Sequence, residues 1–226
     1  MKIDLNCDMG ELEDAAHEAA LMAYVTSANI ACGAHAGDLA TMERTARLAL
    51  ERGVRIGAHP GYPDRENFGR LELAITAEAI AQTVYEQIQL LAGVVTRLGG
   101  VVAYVKPHGA LYNVAVHNRQ VAQAIAQGAA RWNGGTTLFG LAGSPMLDVW
   151  REMGMRVAGE AFADRRYEAD GTLRSRKLPG ALITDPAEAA AQAVRLAEGG
   201  LAETICVHGD TPGAVAILKA CREALP

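Results

Sequence analysis

The stretch NIACGAHAGD (29–38) is echoed by RIGAHPGYPD (55–64), so Gly-Ala-His-x-Gly occurs twice, with His35 and His59 24 residues apart. Each copy closes a short apolar run. The segment between them, TMERTARLALERG (41–53), sets Met42, Ala46, Ala49 and Leu50 along one helical face. Strand, histidine corner, helix, strand, histidine corner is a β/α repeat that carries polar chemistry at one end of its strands.

The same alternation extends both ways. IDLN (3–6) reads as a strand and DAAHEAALMAY (14–24) as a helix, while Thr76-x-Glu78 opens a long helix that ends near Leu98, before Gly99-Gly100. VVAYVK (101–106) is a strand followed by a helix near 118–132, and TTLFGLAG (136–143) is a strand before a helix opened by Ser144-Pro145. MRVAGEA (155–161) leads into the polar segment FADRRYEADGTLRSRKLPG (162–180), and ALIT (181–184) reads as a short extra strand. Asp185-Pro186 opens a helix to about Glu198; ETICVHG (203–209) is the last strand and Thr211-Pro212 opens the last helix. Seven or eight such units without a compositional break predict one α/β domain over 1–226, a parallel (β/α) barrel of about seven strands or a closely related sheet, with an open doubly wound sheet as the alternative. No Gly-x-Gly-x-x-Gly follows the first strand and no GxxxxGK[ST] occurs, which counts against a dinucleotide fold and a P-loop.

Composition narrows the function. Half of the 226 residues are apolar, 21% are charged and the net charge is −5, so no basic stripe offers itself to nucleic acid or an anionic membrane. The N-terminus lacks a signal pattern and no apolar run approaches membrane-spanning length, so a cytoplasmic protein is expected. Four scattered cysteines without a Cys-x-x-Cys pair predict reduced, mostly buried thiols.

Polar residues gather just after the strands. Asn6, Asp8 and Glu11 follow the first, His35 and Asp38 the second, and His59 and Asp64 the third. Lys106, His108, Tyr112 and Asn113 follow the next, then Glu160, Asp164, Arg165 and Arg166, and finally His208 and Asp210. In a β/α barrel these positions form the C-terminal rim where catalytic groups converge. Asp164, Arg165 and Arg166 suit an anion-binding lid, and Lys106 suits a carboxylate or oxyanion partner. Glu160 is either buried and paired or a general base. His17 and His117, away from strand ends, read as ordinary hydrogen-bonded or surface histidines. Neutral imidazole with carboxylate is also a common divalent-metal set, for which Asp8, His35 and His59 are the candidates; with no His-x-His or His-Glu-x-x-His, each ligand would come from a different strand.

DLNCDMGE (4–11), YVTSANIACGAHAGD (24–38), GVRIGAHPGYPDRENFGR (53–70), VKPHGALYN (105–113), FADRRYEADGTL (162–173) and CVHGDTPGA (206–214) together resemble the LamB/YcsF family, in order along almost the whole chain. The resemblance implies an irregular barrel of the glycoside hydrolase/deacetylase type. It also implies ATP-dependent opening of 5-oxo-L-proline to L-glutamate together with subunits B and C. Under it, Asp8, His35 or His59 would activate water, His108 or His208 would protonate the ring nitrogen, and Lys106 and Arg165 would hold anionic oxygens. Asp164 joins this catalytic set; Asn6, Glu11, Asp38, Tyr112, Asn113 and Arg166 are expected to bind substrate. ATP would be bound through or shared with partner subunits, and homo-oligomerisation stays open. Departures stand at Ala34, Leu39 and Leu71, where relatives usually carry Phe, Pro and Arg, and the run after Glu11 lacks the usual Gly-rich, Phe-containing loop. The rival readings are a metal-dependent deacetylase or amidohydrolase and a non-catalytic carboxylate-binding subunit.

Overall fold

The computed structural model describes residues 3–225; Met1, Lys2 and Pro226, the ends of the expected domain, lie outside the described residues. Among the described residues the strands are β1 (Asp4–Met9), β2 (Ser27–Ala31), β3 (Arg55–His59), β4 (Val102–Val105), β5 (Thr137–Leu141), β6 (Arg156–Phe162) and β7 (Thr204–Val207). All pair in parallel and in sequence order, and β7 returns to β1 to close the barrel. Around them run α1 (Ala15–Met22), α2 (Leu39–Glu51), α3 (Ala77–Arg97), α4 (Gly109–His117), α5 (Arg119–Asn133), α6 (Pro145–Glu152), α7 (Pro186–Glu198) and α8 (Ala214–Ala224). Side-chain oxygens of Asp14, Asp38, Thr76 and Asp185 accept from first-turn amides of α1, α2, α3 and α7, which fixes where four of the helices begin.

Two expectations are corrected. The helix near 118–132 is preceded by another, α4, and Asn118 separates them: its side chain accepts from the N–H groups of Gln120 and Val121 and so starts α5 afresh. ALIT adds no strand. Leu182 makes one isolated antiparallel bridge to Arg165, because β6 already pairs with β7 and a closed sheet leaves no edge to join. The barrel therefore has seven strands.

Alternation along the strands sends every second side chain inward, and here the inward rows are polar. Asp4 Oδ1 accepts from Thr26 and Ser27, and its Oδ2 from Thr204, each at 2.7 Å. One layer up, Asn6 donates to Thr204 at 2.7 Å, Asn29 donates to Asn6 at 2.7 Å and to Asp8 at 2.8 Å, and the Tyr104 hydroxyl donates to Asn29 at 2.7 Å. Barrel interiors are commonly filled by branched apolar layers; this one is filled by a hydrogen-bonded column. The Tyr104 ring, stacked on Phe139 with centroids 4.0 Å apart, occupies space over Gly57, where the β3–β4 register shifts.

A Cβ added at Gly57 would lie 2.1 Å from Tyr104 Cε2. Gly57→Ala should therefore lower the urea midpoint by the equivalent of about 1–3 kcal/mol or more, as overpacking does. Gly134→Ala, with nothing within 4 Å and φ of −61°, should change it little.

Candidate active site

The column ends upward in a buried ammonium. Lys106, just past β4, is 2% exposed. Its Nζ lies 3.0 Å from Asp8 Oδ1, 2.9 Å from Glu160 Oε1, 3.3 Å from Asn6 Oδ1 and 3.1 Å from Cys206 Sγ. Burial alone would lower the Lys106 pKa, but Asp8 and then Glu160 raise it well above the usual lysine value. Asp8 is pushed up by burial and pulled further down by His59 and Lys106, so it stands as a carboxylate. Burial outweighs Lys106 at Cys206, whose thiol is raised and stays protonated. The Tyr112 hydroxyl, without a hydrogen-bond partner among the described residues, is raised by burial and by the Glu160 carboxylate.

Three histidines and Glu11 form a second group beside it. The two Gly-Ala-His copies are not equivalent: His59 is the last residue of β3, paired with Ala31, whereas His35 lies in the loop four residues beyond that partner. The offset lets the rings converge. His35 stacks on His108 with centroids 3.8 Å apart and a 1° interplanar angle, and His59 meets both edge-on. Glu11 Oε1 lies 3.0 Å from His35 Nε2, 3.1 Å from His108 Nδ1 and 3.6 Å from His59 Nε2. Gly69, at φ +64°, admits this packing, since a Cβ there would fall 2.8 Å from His35 Cβ. Burial would raise the Glu11 carboxyl, but charge and hydrogen bonds from His108 and the bond from His35 hold it below its ordinary value. Burial, and then His108, lowers His35 to about 4 and keeps it neutral.

A third group follows β6 and β7. Asp164 is fully buried; it accepts from His208 N–H at 3.1 Å and Thr211 Oγ1 at 2.5 Å, and lies 3.0 Å from His208 Nδ1. The His208 ring stacks on Phe162 with centroids 5.2 Å apart. Burial would raise Asp164, but His208 and Thr211 bring it below the usual carboxyl value.

A cavity of about 860 Å³ opens over all three groups, lined by Asp8, His59, Lys106, His108, Tyr112, Asn113, Arg165 and His208 among others. Arg70 and Arg176, at its mouth, both bind Asp210, at 2.5 and 2.9 Å. Burial, and then Arg176, lowers Arg165 to about 10, and its Nε has no partner among the described residues. Other expected residues land elsewhere. Asn6 is sealed beneath Lys106, Glu11 and His35 sit behind the cavity wall, and Asp38 is an exposed helix cap. Arg166 turns outward to Glu188, 2.7 Å away, because neighbouring residues of an extended segment face opposite ways. His17 Nε2 donates to the Gly209 carbonyl, 3.0 Å off, whereas His117, expected clear of the site, stands on the cavity wall. Leu39 and Leu71 are exposed, and neither they nor Ala34 line the cavity.

Sequence reasoning left out Asn29, Tyr104, Arg70 and Arg176 and gave Glu160 no settled task. The polar alternation Asp4, Asn6, Asp8 and Ser27, Asn29 inside apolar strands carried a signal for the interior column. Arg176 had none, since it meets Asp210 across 34 residues that include α7 and β7.

The LamB/YcsF family profile matches residues 3–226. A protein of Chloroflexus aggregans, named as the A component of 5-oxoprolinase, is 46% identical over all of this chain and 95% of its own length. One of Agrobacterium fabrum, named as A component 1 of the same enzyme, is 46% identical over 97% of this chain and 92% of its own. The crystal structure of a lactam utilization protein from Thermus thermophilus superposes with a TM-score of 0.90 at 38% identity, covering 99% of this chain and 96% of that one.

Because Asp164 titrates below its unfolded value of about 3.9, its bonds stabilise the fold fully above that pH and are lost as the pH falls through the folded value. Asp164→Asn should be less stable than the parent near pH 7, by about 1–3 kcal/mol. The gap should shrink below about pH 4, as urea midpoints between pH 3 and 7 would record. A gap independent of pH contradicts this account.

Proposed function

The chain belongs to the LamB/YcsF family, and from that premise we propose that it opens the cyclic amide 5-oxo-L-proline to L-glutamate as the A component of a multi-subunit 5-oxoprolinase. The observation that carries the reading is the large cavity floored by the Asp8–Lys106 pair, walled by His208, which Asp164 holds from behind, and capped by arginines. It offers an anion holder, a water acceptor and a proton donor to one small polar substrate.

Amide resonance leaves a five-membered lactam carbonyl a poor electrophile. Transfer of the γ-phosphoryl of ATP to the carbonyl oxygen, with ADP leaving, makes the carbon attackable. Water then adds, the ring C–N bond breaks as its nitrogen takes a proton, and the resulting acyl phosphate is hydrolysed by a second water to glutamate and phosphate. Asp8 Oδ2 is the oxygen left over when Oδ1 is held by Lys106 and Asn29, and it takes the role of orienting the water. A carboxylate held this low is a weak base, which suits a carbon already activated by phosphorylation. His208, its Nδ1 anchored on Asp164, has Nε2 free to protonate the departing nitrogen. Lys106 gives its hydrogens to internal acceptors, so its task is to fix Asp8; the substrate carboxylate falls to Arg165, whose Nε is unpaired among the described residues. With no GxxxxGK[ST] in the chain, the ATP site is either of a non-Walker kind or carried mainly by subunits B and C.

The test is glutamate and phosphate release from 5-oxoproline and ATP, with and without subunits B and C. The chain alone should show little ATP-dependent turnover and the reconstituted mixture full turnover. Within the mixture Asp8→Asn should lower kcat by about 10²–10⁴-fold, while Arg165→Met should chiefly raise KM for the lactam. Full activity of the single chain, or of Asp8→Asn, refutes these assignments.

A further inference from the structure

We propose that Glu11, His59 and His108 form a site for one divalent transition-metal ion of the zinc class, reachable from the cavity, with His35 stacked on His108 and bonded to Glu11 as an outer partner. Glu11 Oε1, His59 Nε2 and His108 Nδ1 lie within 3.6 Å of one another. The donors come from the loop after β1, the end of β3 and the N-terminus of α4, so the barrel itself assembles them.

Hydrogen-bond accounting singles out those nitrogens. His59 Nδ1 lies 2.8 Å from the Lys106 carbonyl, and His108 Nε2 lies 2.9 Å from the Phe68 carbonyl. A carbonyl only accepts, so both ring nitrogens carry hydrogen and donate. In the neutral rings His59 Nε2 and His108 Nδ1 are then lone pairs, yet they face each other at 3.0 Å, with an anionic oxygen 3.1 Å from His108 Nδ1. Lone pair against lone pair against carboxylate is repulsive unless a positive charge lies among them. Either an extra proton or a cation meets that need.

Three features favour the cation. The separations among His59 Nε2, His108 Nδ1 and Glu11 Oε1, of 3.0, 3.1 and 3.6 Å, match the edges of a coordination shell whose bonds are about 2.0–2.1 Å long, for which tetrahedral edges are about 3.3–3.4 Å. The carbonyls that orient His59 and His108 are the outer partners that metal-binding imidazoles use. The Phe68 carbonyl belongs to a residue at φ 55°, the one non-glycine residue with positive φ among those described, so its direction is closely determined. Two imidazoles and one carboxylate suit zinc, cobalt, iron or manganese and not calcium or magnesium. His59 and His108 border the cavity, which leaves a coordination position open to water or substrate. When bound, such an ion supplies Lewis acidity and a water of lowered pKa.

The inference stands apart from the lactam reading, because metal uptake is read on the chain alone. After chelator treatment and dialysis, the wild-type protein should take up one equivalent of Co²⁺ with visible d–d absorption and should show one Zn²⁺ site by calorimetry. Zn²⁺ should raise its thermal midpoint in a concentration-dependent way. Glu11→Gln, His59→Gln and His108→Gln, each checked for folding by circular dichroism, should lose more affinity than the roughly 10–100-fold that loss of an outer partner costs. His117→Gln should bind as the wild type does. X-ray absorption of the wild-type Zn²⁺ or Co²⁺ protein, which needs no variant, should show imidazole scattering with donors at about 2.0–2.1 Å. No uptake by the wild type, with a protonated His108–Glu11 pair seen by NMR instead, overturns the proposal. So does uptake undiminished in Glu11→Gln and His59→Gln, or a metal shell without imidazole.

Discussion

An ammonium on the axis of a closed barrel sets the terms for the rest of this molecule. Lys106 is almost fully enclosed, and an enclosed charge is tolerable only where oppositely charged and polar atoms surround it. Asp8, Glu160, Asn6 and the Cys206 sulfur meet that need from β1, β6 and β7, so three strands are held in register by one side chain from the end of a fourth. Below this level Asn29, Tyr104 and Thr204 continue the network, which leaves the hydrophobic core to lie between sheet and helices. The arrangement also freezes Asp8: with Oδ1 committed to Asn29 and Lys106, Oδ2 alone is directed toward His59, 3.4 Å away.

The rim is built the same way, each reactive group held by a neighbour that does not itself face the cavity. Asp164 holds His208, and the Phe68 carbonyl holds His108. The polar segment after β6 is held down, among other contacts, by Arg176 on Asp210 and by Gln192 on the carbonyls of Phe162, Ala163 and Arg165. Three of these contacts use backbone that any sequence would supply. The fourth depends on two side chains of opposite charge at the mouth, the place where a substrate must pass.

The barrel was legible in the sequence because apolar runs of four to seven residues alternate with helices whose caps are written plainly, as at Thr76 and Asp185. The convergence of His35, His59, His108 and His208 on one end was legible for the same reason, since strand ends fix direction. Failures came where tertiary context decided. ALIT has strand composition but no free edge to pair with, and α4 starts at Gly109 without a side-chain cap to announce it. Lys106 read correctly as partnered and desolvated, but its acceptors arrive from residues as distant as Cys206, which no local pattern connects. Arg165 and Arg166 are adjacent and chemically identical; only the direction of the chain sends one to the cavity and the other to Glu188.

The polar interior also constrains how the molecule can be made. Asn6 and Thr204, partners in the inner column, are 198 residues apart, and β1 meets β7 only when the sheet closes. Until then Asp4, Asp8, Glu160 and Lys106 line an open trough and remain hydrated, since a half-formed network gains little by shedding water. Collapse of helices onto the outer face of the sheet can precede closure, whereas drying of the axis cannot. Closure carries the loop-entropy cost of nearly the whole chain, and pairing this distant in sequence favours slow folding.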